Sequence, residues 1–178
     1  MRDVFLTDAA KIDALILENK YIRVVFDPIS GALLSLESRA SGWTVQRRPE
    51  LSHSFGMLVP APGRRHTRVD GREQRLSEVR QITGGLELIW NGLRASHGGV
   101  LDIRYTGKVL LREESLEFSG AIENRTDLVV EACLWPWLGD LSRPPGSKVF
   151  YHQHAAYGDT VDEALFPSFA SHRGCFGV

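Results

Sequence analysis

The sequence predicts an all-β fold, an antiparallel β-sandwich with few short helices. Three observations carry that expectation. The first is a strict period of two: over residues 100–111 the chain reads V-L-D-I-R-Y-T-G-K-V-L-L, with Leu101, Ile103, Tyr105, Val109 and Leu111 on one side and Asp102, Arg104, Thr106 and Lys108 on the other. The second is the spread of 17 Gly and 8 Pro along the chain, which supplies turns at short intervals. The third is that no segment longer than about ten residues shows a 3.6-residue period.

Each element follows from the same reading. Residues 8–17 are one short helical candidate. Ile22, Val24 and Phe26 alternate with Arg23 and Asp27, and Asp27-Pro28-Ile29-Ser30-Gly31 then offers turn chemistry before a strand over 32–37. Residues 55–59 form a short apolar strand closed by Pro60-Ala61-Pro62-Gly63. The Arg-rich stretch 64–72 reads as a solvated loop with one weak strand at most. Residues 75–82, Thr83-Gly84-Gly85 and residues 86–90 make a hairpin, and Ser96-His97-Gly98-Gly99 a turn. The strand over 100–111 pairs through Arg112-Glu113-Glu114 with one that places Leu116, Phe118 and Ile122 on one face. A strand is expected over 130–137, ending or lying on an edge at Pro136, which cannot donate to a ladder. The second helical candidate is 160–166.

Composition limits the function classes. The 178 residues, with 21 Lys+Arg against 22 Asp+Glu and 43% apolar residues, are those of an ordinary globular chain, and 1–178 reads as a single domain. The near-neutral charge argues against nucleic acid as a partner. Apolar runs such as 14–17 are far too short to span a bilayer, so no membrane partner is expected. The first ten residues carry Asp3 and Asp8 and no apolar leader, which points to a cytoplasmic protein. Two cysteines, Cys133 and Cys175, make neither a disulfide framework nor a zinc motif. No nucleophile signature, phosphate loop or dinucleotide fingerprint is present, and no cofactor is implied.

Two stretches carry a resemblance. Leu17-Glu18-Asn19-Lys20-Tyr21-Ile22-Arg23-Val24-Val25-Phe26-Asp27-Pro28, followed by Gly31-Ala32-Leu33-Leu34-Ser35-Leu36, resembles the opening hairpin of galactose mutarotase-like domains. Ile122-Glu123-Asn124-Arg125-Thr126-Asp127, then Trp135-Pro136-Trp137, is similar to the segment in which an asparagine-ended strand leads to a His-Pro-aromatic motif. The resemblance spans most of residues 15–141. It implies a β-supersandwich of the kind found in aldose 1-epimerases and beside glycoside hydrolases, of which this chain would be the N-terminal part or a shortened member. Trp135 stands where the epimerases carry histidine, and an indole offers only an N–H donor and a ring face. The resemblance therefore implies sugar contact more than epimerase chemistry.

The residues themselves supply two constellations. In an extended strand Glu131, Cys133 and Trp135 share a face, and Trp137 and Asp140 follow near its rim. Indoles stack on the apolar side of a pyranose while carboxylates accept from its hydroxyls. The alternative is that both tryptophans pack in the interior. The second constellation, Tyr151-His152-Gln153-His154, sets two imidazoles on one face of a strand. They could contact a sugar or act as acid and base near neutral pH. The spacing from Gly146 through His152 and His154 to Asp159 is also similar to the first metal motif of the cupins. The arginine pairs Arg47-Arg48 and Arg64-Arg65 could hold an anionic group such as a sugar phosphate or uronate. His97 reads as a solvated loop residue, and His53, just before a strand, could line an open end.

The expectation is thus a carbohydrate-binding domain of, or derived from, a carbohydrate-active enzyme, with a mono- or oligosaccharide as partner and a homodimer through an edge strand. Trp135, Trp137, Asp140 and His152 would bind the sugar. The enzyme alternative, an aldose epimerase or glycoside hydrolase, would use His152, His154 and Glu131. A third alternative is a cupin-like metal-binding protein, although no resident metal is the primary expectation.

Overall fold

The computed structural model describes residues 14–142, with Asp140 and Leu141 by backbone alone, and the backbone of residues 163–165. The first four strands form an antiparallel meander: β1 (Leu15–Glu18), β2 (Ile22–Phe26), β3 (Leu33–Ser38) and β4 (Trp43–Gln46). Leu17 pairs with Val24 and Leu15 with Phe26, so the apolar members of both strands share one face. The expected turn after β2 is present. The Asp27 carboxylate accepts from the N–H groups of Ile29 and Ser30, both at 3.1 Å, and from the Ser30 hydroxyl. Gly31 closes the turn with φ of +71°, and a Cβ there would lie 2.5 Å from the Trp90 ring. Only glycine meets both demands.

Two short strands follow, β5 (Gly56–Leu58) and β6 (Arg68–Asp70), paired antiparallel. Next come β7 (Glu78–Ile82), β8 (Gly85–Arg94), β9 (Val100–Leu111) and β10 (Leu116–Asn124), which make the second four-stranded sheet in the order β10-β9-β8-β7. Both expected hairpins are there, with Ile82 opposite Gly85 and Leu116 opposite Leu111. β8 runs past the expected end at residue 90 because the register shifts between Asn91 and Leu93, where Gly92 has φ of +68°, and pairing then resumes. β11 (Ala132–Leu134) returns to pair with β5, completing a three-stranded sheet β11-β5-β6. β12 (Asp140–Ser142) pairs with β13 (Glu163–Leu165).

The antiparallel sheets share one core. Leu17, Val24, Phe26 and Leu33 from the first sheet meet Met57 and Val69 from the small sheet, Phe55 just before β5, and Leu88, Trp90, Ile103, Tyr105 and Val109 from the second large sheet. At its centre Phe55 lies 4.8 Å from Trp90 and 4.7 Å from Tyr105, ring centre to ring centre. No helix among the described residues is long and apolar enough to cross a membrane.

Both short helical expectations need correction. Leu15–Glu18 belong to β1, and Glu163–Leu165 form β13; the remainder of both segments lies outside the described residues. A four-residue apolar run fits either period, and an isolated ten-residue helix is marginal in water. Pairing with β2 satisfies the same backbone groups while burying Leu15 and Leu17. The strand expected over 130–137 is also shorter, since only Ala132–Leu134 are paired before Pro136.

Candidate functional site

The segment from Val130 to Leu138 crosses the small sheet and reaches the second large one. Backbone pairing fixes its start: the Glu131 N–H donates to the Leu58 carbonyl at 2.9 Å, and Leu134 lies opposite Gly56. Beyond the cis Trp135–Pro136 bond, the Trp137 N–H donates to the Ser54 carbonyl at 3.1 Å. The two indoles therefore leave the backbone at fixed places.

Trp135 lies inside. Its ring packs against those of Trp90, Tyr105 and Phe118 at 6.0, 6.0 and 5.8 Å, each in an edge-on arrangement. It rests on Gly107, where a Cβ would come within 2.7 Å of the indole. The ring is half-buried, and its Nε1 is buried with no hydrogen-bond partner. The buried Tyr105 hydroxyl lies close to the Cys133 sulfur. Burial pushes that phenol far up, and the neighbouring Cys133 sulfur acts in the same direction.

Trp137 is also half-buried, but its surroundings are polar. Its ring stacks on the His53 imidazole with centroids 4.3 Å apart and planes 16° from parallel. Gly56 lets the indole lie close to β5, since a Cβ there would sit 2.5 Å from it. His53 is only 3% exposed, and its Nδ1 faces an Asp70 carboxylate oxygen at 3.9 Å, too far for a hydrogen bond. Burial holds the imidazole below its ordinary pKa and Arg72 adds to that, while Asp70 opposes both. Asp70 itself accepts from the Arg72 N–H at 3.0 Å, capping the short 3-10 turn Gly71–Glu73.

Glu131 is engaged with Arg65, whose guanidinium donates to both carboxylate oxygens at 3.0 and 3.3 Å. Glu131 and the residue over which Trp137 lies, Gly56, are separated by three positions of β5 register, or roughly 10 Å of strand. Asp140 is placed only through its backbone in β12. His152 and His154 lie outside the described residues. Among the described residues no three His, Cys, Asp or Glu side chains group closely enough to hold a metal.

Comparison with protein-family models, curated proteins and solved structures finds no match to this chain.

The structure thus brings Trp135, Trp137 and Glu131 onto one segment but gives the two indoles different surroundings. It also stacks His53, expected at an open end, against Trp137, and adds Asp70 beside that imidazole. The available signal was the polar run Ser52-His53-Ser54 directly before a strand: all three are buried, which a simple open end would not require.

Proposed function

We propose that the chain is a carbohydrate-binding domain of the galactose mutarotase-like type, belonging to or derived from a carbohydrate-active enzyme. The observation that carries this reading is Trp137. Its half-buried indole is held nearly parallel to a buried imidazole, so its orientation is set before any ligand arrives. A flat, preoriented indole is what stacking on a pyranose uses.

The two asparagines of the resembling stretches support the reading through their turns. Asn19 Oδ1 accepts from the N–H groups of Tyr21 and Ile22 at 2.8 Å. Asn124 Oδ1 accepts from the Thr126 N–H and hydroxyl at 3.0 and 2.7 Å, and its Nδ2 donates to the Leu128 carbonyl at 2.6 Å. That second turn directs the chain towards β11 and the tryptophans.

Calorimetric titration with a panel of mono- and oligosaccharides tests the proposal. Binding by the native chain, weakened about tenfold or more in Trp137→Ala, is the expected result; tenfold corresponds to about 1.4 kcal/mol. Absence of sugar binding by the native chain would overturn it. Anomer exchange followed by NMR in the same samples separates a binding domain, which leaves the rate at background, from an epimerase, which raises it.

A further inference from the structure

We propose that a cleft between the turns at residues 61–67 and 95–99 binds a small oxyanion, the carboxylate or phosphate group of an anionic solute. This goes beyond the carbohydrate reading and does not rest on it. The cleft measures about 220 Å³ and is lined by Gly63, Arg64, Arg65, His66 and His97. Four of its five lining residues are basic types, in a chain whose formal net charge is −1, so the concentration is local.

The walls are fixed by backbone bonding. Ala61 and Arg64 exchange both of their N–H···O=C bonds, at 3.1 and 2.8 Å, across a turn in which Gly63 has φ of +69°. The Thr67 hydroxyl donates to the Arg64 carbonyl at 2.8 Å. The two turns are tied together at Arg68 and Ser96. The Ser96 N–H donates to the Arg68 carbonyl at 2.7 Å, and the Ser96 hydroxyl accepts the Arg68 N–H at 3.0 Å. These bonds fix the backbone from which the exposed side chains of Arg64, Arg65, His66 and His97 extend.

The charge balance favours an anion. The Arg65 guanidinium is shared with Glu131, whereas Arg64 has no carboxylate partner among the described residues. A planar guanidinium fork matches the two oxygens of a carboxylate or phosphate, and imidazole N–H groups add donors. The volume lies below the roughly 300 Å³ at which ligand pockets begin, which suits one charged group. The site is open, so binding is weak and salt-sensitive.

The test titrates the full chain, at low ionic strength, with inorganic phosphate, glucuronate, glucose 6-phosphate and glucose, following backbone amide shifts by NMR. The expected result is saturable shifts at Gly63, His66, His97 and Gly98 with dissociation constants on the order of 1 mM. Glucose should leave those amides unmoved. Arg64→Gln should weaken binding about tenfold, and Arg80→Gln, on β7, should leave it unchanged. Response to phosphate alone assigns a phosphoryl group, and response to glucuronate alone assigns a carboxylate. No saturable shift with any oxyanion, or equal binding by native chain and Arg64→Gln, would overturn the proposal.

Discussion

His53 links burial, stacking and pH at a single residue. Its imidazole is enclosed beneath Trp137, with Nδ1 unpaired and the Asp70 carboxylate 3.9 Å away. Burial and Arg72 lower its pKa from the ordinary value near 6.5. The folded chain therefore binds fewer protons here than the unfolded chain between that value and the lowered one. Stability from this site is complete above about pH 6.5 and falls as the pH drops through that window, by about 1.4 kcal/mol for each unit of depression. Urea midpoints measured from pH 7.5 to 5.0 should fall, and the fall should be smaller in His53→Gln, which cannot charge. Both chains carry the same residues at every other position, so the difference isolates this residue. An identical pH profile for the two proteins would show that His53 does not remain neutral in the fold. The residue's type was legible in the sequence, and so was its place before a strand. Its burial was not, because it depends on an indole 84 positions later in the chain that has no local signature.

At the scale of the element, legibility follows how local the determinants are. β9 and β10 could be read because β9 alternates along its length, β10 alternates over its first four residues, and a short polar turn joins them, so pattern and pairing agree. β1 and β13, four and three residues long, carry no period that separates strand from helix, and they exist because a partner strand is present. Residues 130–137 were legible as extended, but not the different neighbours of their two indoles, with Gly107 under Trp135 and Gly56 under Trp137. Asn19 shows how one polar residue joins elements. Its side-chain oxygen caps the β1–β2 turn, and its Nδ2 donates to the carbonyls of Arg112 and Glu113 at 2.7 and 3.0 Å, tying that hairpin to the β9–β10 turn. Asn19→Ala removes all four bonds at a half-buried site. A loss of about 1–3 kcal/mol in denaturant unfolding is expected, with Asn19→Asp recovering only the accepted pair. A loss under about 0.5 kcal/mol would mean that water replaces these contacts freely.

For the whole molecule, the question is what joins the small sheet to the large one. Among the described residues β11 pairs only with β5, and the chain beyond it inserts Trp135 against Trp90, Tyr105 and Phe118 on the second large sheet. An indole whose neighbours are three other rings acts chiefly through packing, and substituting it opens a cavity that the surrounding rings cannot fill. Trp135→Ala should therefore cost about 3 kcal/mol, the low end for a large aromatic because the ring is half-buried, and lower Tm by roughly 6–12 °C. Trp137→Ala removes stacking on a single imidazole and should cost less. The ordering matters for function. If Trp135 were a surface platform for a ligand, its removal would change stability by under about 1 kcal/mol while abolishing binding. Thermal unfolding of the two variants side by side distinguishes these cases, and a larger loss in Trp135→Ala than in Trp137→Ala assigns the first indole to the core. Any sugar titration of Trp135→Ala must then be compared at equal folded fraction. Trp137 is the position at which a loss of binding reports on the ligand itself.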